Sequence, residues 1–179
     1  MIGNIKIIAV CMCKVYDERN YRIIRALNNF AVENDYRLFV YHTCSDLYWK
    51  TLSEKGEQSV FDLIDYNITD AVVTFEEGVY AENVMTKIRM DAAKYGKPVI
   101  SVGVEHDDCI SIKFGYAKGF EQVVRHVIEQ HGVRDIGFIA GRKDEENSEE
   151  RIAVFRKLLE EYDIPFRNDA VSYTHLRAH

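Results

Sequence analysis

Short apolar runs alternate with stretches of helical periodicity along most of this chain. Residues 5–10 (IKIIAV) read as a strand whose only polar position is Lys6, and Tyr21, Ile24, Leu27, Phe30 and Ala31 trace the apolar stripe of a helix. A second strand is expected over 37–42, and Val60, Phe61, Leu63 and Ile64 mark a second helix. The run DAVVT at 70–74 predicts a third strand. A third helix through Val84, Met85, Ile88 and Ala92 ends near Gly96 and Pro98, and a fourth strand covers 99–102. The rhythm then changes. CISIK at 109–113 follows only a short acidic loop, with no room for a helix, and reads as a sheet-edge strand or a crossover.

A further helix carries Phe120, Val123, Val124, Val127 and Ile128 and closes at His131-Gly132, because glycine takes the left-handed conformation without penalty. Ile136, Phe138, Ile139 and Ala140 predict a strand covered on both faces and ending at Gly141. After a polar loop over 142–146, Asn147 or Ser148 is expected to cap a last helix, with Glu149 and Glu150 in its first turn. Alternating strands and helices with right-handed crossovers give an α/β fold with a doubly wound parallel sheet. The expected organisation is a first lobe over 1–114, nearly complete, and a partial second lobe over 115–170. Residues 171–179 break the amphipathic pattern and resemble a translated adapter sequence, so they are expected to be a non-native tail outside the fold.

Composition narrows the function. Twenty-three basic against 29 acidic side chains give a net charge of -6, and no Lys/Arg cluster suggests a face that neutralises nucleic-acid phosphates. No apolar run approaches a membrane span and the first residues lack a secretory pattern, so a cytoplasmic protein is expected. Cys11, Cys13, Cys44 and Cys109 lack CxxC spacing and read as reduced thiols rather than a disulfide framework or a metal site. A Walker loop, a GxGxxG after the first strand and a GxSxG elbow are all missing, and no cofactor is expected. The acidic residues of a receiver domain are missing too, since Cys11-Met12-Cys13 and Thr74-Phe75 stand at the corresponding strand ends.

The stretch His131-Gly132-Val133-Arg134-Asp135-Ile136, then Gly141, then Ser148-Glu149-Glu150-Arg151 resembles the effector-binding region of LacI/GalR regulators, which share the type I periplasmic-binding-protein fold. The resemblance extends more loosely through IKIIAV, NDYRLFVYHT and DAVVTFEEG, over roughly residues 4–166. It implies a small-molecule effector held between two lobes, lobe closure, a homodimer, and a polypeptide longer than this chain. Arg151 is the residue that it places in the effector cleft. Two departures stand out: Gly115-Tyr116 replaces Asp-Asn at the entry to the second lobe, and Gly103 replaces an Asp that holds sugar hydroxyls, which removes the argument for a sugar. The spacing of VIEQHG resembles sensor regions fused to GGDEF diguanylate cyclases, although no GGDEF motif occurs here.

Ligands of open α/β sheets bind beyond the carboxyl ends of the strands. That rule adds Tyr16 after the first strand, as a stacking face, and Glu76 and Glu77 after the third. Asn147 and Ser148 join Arg151 as candidate ligand contacts, each also a candidate helix cap, and Tyr116 stands at the expected hinge. The expected function is a cytoplasmic sensor that biases an output domain outside these residues. An α/β enzyme acting on a small molecule, and a ligand-free dimerisation module, remain open alternatives.

Overall fold

The computed structural model describes residues 5–77, 79–143 and 145–173. The chain divides into two compact units, Met1–Lys113 and Phe114–His179.

The first unit contains β1 (Lys6–Cys13), α1 (Glu18–Glu33), β2 (Tyr36–Thr43), α2 (Leu52–Gln58) followed by a 3-10 turn (Ser59–Leu63), β3 (Ala71–Phe75), α3 (Glu82–Lys94), β4 (Val99–Val102) and β5 (Ile110–Ile112). The five strands are parallel in the order β2-β1-β3-β4-β5. Register fixes the two faces. Ala9, Val72 and Val99 stand side by side, and with Cys11 and Cys13 they pack against Phe61, Ile64, Met85, Ile88 and Ala92 of the helical segments after β2 and β3. Val10, Val73, Ile100 and Ile110 form a row on the opposite face.

The chain moves from β1 to β2 in one direction across the sheet and from β2 to β3 to β4 in the other, so right-handed crossovers place α1 on the face opposite α2 and α3. This is the doubly wound arrangement. Val10 is fully buried on the α1 side, whereas Ile110 and Ile112 of the edge strand are exposed. The CISIK segment is therefore a parallel edge strand rather than a crossover.

Several boundaries differ from the sequence reading. β1 runs three residues further, because Cys11, Met12 and Cys13 find partners in Tyr41, His42 and Thr43. The second helix lies earlier than its apolar residues suggest. Thr51 caps it through a capping box with Glu54, and the Val60–Leu63 stretch forms the tighter 3-10 turn, with Leu63 exposed. In α1, Ala31 is buried while Tyr21 and Phe30 of the expected stripe face solvent.

The second unit contains α4 (Tyr116–His131), β6 (Phe138–Ala140), α5 (Glu146–Glu161), a short 3-10 turn (Asn168–Ala170) and β7 (Val171–Tyr173). Gly132 closes α4 at φ 65°, as the sequence predicts, and its N–H donates to the Ile128 carbonyl. Val124 and Ile128 of α4 and Phe155, Leu158 and Leu159 of α5 form the core, with Phe138 and Val171 packed on it from the strands. β6 was expected to be covered on both faces. Its helices cover one, and Ile139, pointing the other way, is 77% exposed.

Residues 171–173, expected outside the fold, pair in parallel with β6, Phe138 against Val171 and Ala140 against Tyr173. Their β-branched and aromatic members suit a strand. The remainder of the proposed tail, 174–179, lies outside the described residues.

All four cysteines are free thiols, with Cys11 and Cys13 buried and Cys44 exposed. Burial raises the Cys11 thiol pKa strongly. Burial also pushes Cys13 up to about 11, partly offset by the hydrogen bond that Thr43 Oγ1 donates to its sulfur. The reactive form is the thiolate, and at pH 8 a group titrating near 11 holds about one part in a thousand of it. Alkylation of the native protein at pH 8 should label Cys44 first and leave Cys11 and Cys13 unlabelled until denaturant is added. Peptide mass spectrometry reads this, and labelling of Cys13 at the rate of Cys44 would contradict the burial assigned to β1.

Candidate functional site

The carboxyl end of the first sheet is organised by a buried charge. Glu76 directly follows β3 and its N–H donates to the Val102 carbonyl, so the backbone ladder carries its side chain beneath the surface. The carboxylate is 6% exposed and faces Arg89 of α3, which is 7% exposed, with Nη1 3.1 Å from both carboxylate oxygens. Thr74 Oγ1 donates to Oε1 at 2.7 Å. His106 Nε2, from the loop between β4 and β5, stands 2.9 Å from Glu76 Oε2 and 3.0 Å from Arg89 Nη1. Carrying a proton, that nitrogen donates to the carboxylate; without one, it accepts from the guanidinium. Arg89 Nη2 donates to Thr86 Oγ1, while Nε makes no hydrogen bond among the described residues and has Asp108 Oδ1 at 3.5 Å. The His106 N–H in turn donates to Ser111 Oγ.

Glu76 is thus turned inward and held, not offered to a ligand. Sequence reasoning placed it in the cleft and missed Arg89 and His106. A readable signal existed, since Arg89 falls within the apolar stripe of Met85, Ile88 and Ala92. A charged residue in such a stripe requires a buried partner.

Glu77 behaves differently. Its side chain is partly exposed and accepts from Arg19 Nη2 at 2.7 Å. Its backbone and Cβ lie directly against Gly103, where an added Cβ would come within 2.6 Å of Glu77 Cβ, and Gly103 holds φ 103°. The missing Asp at this strand end therefore has a steric cause: no side chain fits at 103. Tyr16, in the loop between β1 and α1, is 61% exposed, and its hydroxyl is tied to the Cys44 carbonyl at 2.5 Å. That bond fixes the ring while leaving much of its surface open. Tyr48, Trp49 and Tyr80 form a chain of edge-on contacts in the same unit.

In the second unit the structure brings Asn147, Ser148 and Arg151 together with Gly141. The last helix starts earlier than predicted: Glu145 occupies the capping position, and Asn147 and Ser148 lie inside the first turn, so neither caps it. Ser148 is fully buried and, among the described residues, its Oγ has no hydrogen-bond partner. Arg151 is half-buried, and its Nε donates to the Asn147 carbonyl at 2.9 Å. Its Nη2 and the Ser148 side chain crowd Gly141, where an added Cβ would meet them at 3.2–3.3 Å. The absence of a side chain at 141 therefore lets the guanidinium lie across the carboxyl end of β6. Among the described residues its two terminal nitrogens have no hydrogen-bond or ion-pair partner. Tyr116 opens α4 after Gly115, with its ring 5.7 Å from that of Phe114.

Among the described residues, no group of three or more His, Cys, Asp or Glu converges on a common point, and no helix is long and apolar enough to cross a membrane.

Comparison with known proteins identifies the fold. No family model and no curated protein sequence matches the chain. Among solved structures, it is similar over 94% of its length to the transcription regulator CcpA of Lactococcus lactis, with a TM-score of 0.69 and 19% identity, covering 58% of that protein. It is similar over 93% of its length to a LacI family transcriptional regulator from Mycobacterium smegmatis, with a TM-score of 0.65 and 14% identity, covering 55%. A LacI family regulator from Lactobacillus casei, solved with bound sucrose, matches 94% of the chain with a TM-score of 0.62 and 12% identity, covering 58%. The chain thus has the fold of these regulators and spans less than two thirds of their length.

Removing Arg89 leaves the Glu76 charge buried without its main partner, which typically costs about 3–5 kcal/mol. Arg89→Ala should lower the denaturation midpoint of the first unit accordingly. An urea titration showing a loss below about 1 kcal/mol would mean that water reaches Glu76 in the native state.

Proposed function

We propose that this chain is a ligand-sensing regulatory domain, in which a small-molecule effector is held by Arg151 at the carboxyl end of β6. The observation that carries the reading is the open guanidinium fork. Arg151 is half-buried, oriented by its Nε bond to Asn147, and has no partner among the described residues for its terminal nitrogens. Such a group matches a carboxylate, a phosphate or paired hydroxyls with two parallel hydrogen bonds. The fold supports the reading, because parallel sheets bind ligands at their carboxyl ends and the neighbouring structures are transcription regulators, one holding sucrose.

On this reading Tyr16 and Glu77 of the first unit, and Tyr116 and Asn147 of the second, are further candidate contacts for the effector. The effector acts by favouring a closed arrangement of the two lobes, and it shifts the population only by its differential affinity for that arrangement. The regulated output lies outside these residues: a DNA-binding module would match the structural neighbours, and a GGDEF diguanylate cyclase would match the VIEQHG spacing. A homodimer and a cytoplasmic location belong to the same proposal.

Thermal-shift screening with organic acids, amino acids, nucleosides and sugars tests it. A stabilising compound should bind Arg151→Ala about 10- to 150-fold more weakly, the equivalent of a charge-assisted contact of roughly 1.5–3 kcal/mol. An undiminished shift in Arg151→Ala removes Arg151 from the site, and turnover of the compound would favour an enzyme.

A further inference from the structure

Away from the effector site, two histidines of α4 converge. His131 is the last residue of the helix and His126 lies five positions earlier, both on the exposed surface. Their Nε2 atoms are 3.1 Å apart, with the ring planes inclined at 77°. We propose that His126 and His131 form a two-imidazole chelate for a first-row divalent transition-metal ion, with water completing the coordination.

The geometry carries the assignment. Two metal–nitrogen bonds of about 2.0–2.1 Å spanning 3.1 Å subtend an angle of about 95–102° at the ion, between the octahedral and tetrahedral values. Imidazole nitrogen is a preferred donor for nickel, copper and zinc and a poor one for magnesium or calcium, which sets the class of ion. Position contributes as well. The carbonyl end of a helix carries partial negative charge, which favours a cation. Glu129, the acidic residue between the two histidines in sequence, accepts a hydrogen bond from the Tyr162 hydroxyl. Bridging 126 to 131 would staple the last turn of α4 next to Gly132, the residue that ends the helix.

The site needs no third protein ligand, and this separates it from the convergent clusters that the described residues lack. Two protein donors set a modest affinity and leave coordination positions open, so an exchangeable ion is expected rather than a permanently bound structural one.

Nickel chloride is the probe. The chain also carries His175 and His179, four residues apart and outside the described residues, so the reference protein is the full chain with His175→Ala and His179→Ala. Titration calorimetry on this reference should show one Ni2+ bound per chain. Ni2+ at ten times the dissociation constant should raise Tm by about 3–6 °C. Adding His126→Gln or His131→Gln should weaken binding at least tenfold and abolish the shift, while Cys44→Ser should leave both intact. Circular dichroism verifies that these surface variants remain folded. Binding that survives either glutamine substitution overturns the proposal, as does a reference protein that shows neither heat nor a shift. In the latter case the pair is only an imidazole–imidazole hydrogen bond.

Discussion

The carboxylate of Glu76 has been taken out of water at the end of a central strand, and much of the first unit's upper edge is arranged around keeping it satisfied. Arg89 brings α3 to it, His106 brings the loop between β4 and β5, and Thr74 supplies a hydroxyl from the strand itself. Three pieces of chain far apart in sequence thus meet on one charge. Because each unmet buried charge is expensive, the pieces cannot move independently without breaking the group as a whole. The adjacent contact of Glu77 with Gly103 adds a steric lock, since the two backbones approach too closely for any side chain between them. Together these constraints make the carboxyl edge of the sheet a rigid platform. Tyr16 and Glu77 project from it with a fixed ring and a paired carboxylate.

The second unit places its polar groups more economically. Gly141 follows β6 without a side chain, and the start of α5 fills that space with Ser148 and the Arg151 guanidinium. The buried Ser148 hydroxyl finds no partner among the described residues, and such an unmet group typically destabilises by about 1–3 kcal/mol. Such an uncompensated group beside an open guanidinium is the pattern expected where a site is shaped for something other than its own stability. Arginine suits this place better than lysine, because Nε can anchor to the helix while the terminal nitrogens remain available.

The fold was legible from periodicity because the buried rows are strongly apolar. Ala9, Val72 and Val99 sit in strands where the sequence placed them, and Gly132 closes α4 as its type demands. Errors arose where tertiary contacts override local pattern. Cys11–Cys13 fell beyond the strand read from the β-branched and aliphatic run ending at Val10, yet β2 offers them a ladder. Asn147 and Ser148 looked like caps from residue type alone, but the helix begins at Glu146 and buries Ser148 within its first turn. Glu76 and Glu77 are adjacent and chemically alike, and only strand geometry, which sends neighbouring side chains to opposite sides, separates the buried anchor from the exposed one. Val171–Tyr173 was set outside the fold together with the adapter-like residues that follow it, and its parallel pairing with β6 is a non-local contact that no window around 171 contains.

An NMR titration that follows the Arg151 side-chain Nε–H signal and the amides of 141–151, using whichever compound most stabilises the protein, tests the central claim most directly. The account predicts that the Nε–H signal and the Gly141, Ser148 and Arg151 amides shift together and saturate at one equivalent, with the binding constant obtained from thermal stabilisation. Saturating shifts confined to residues of the first unit, with the Arg151 signal unmoved, would contradict it.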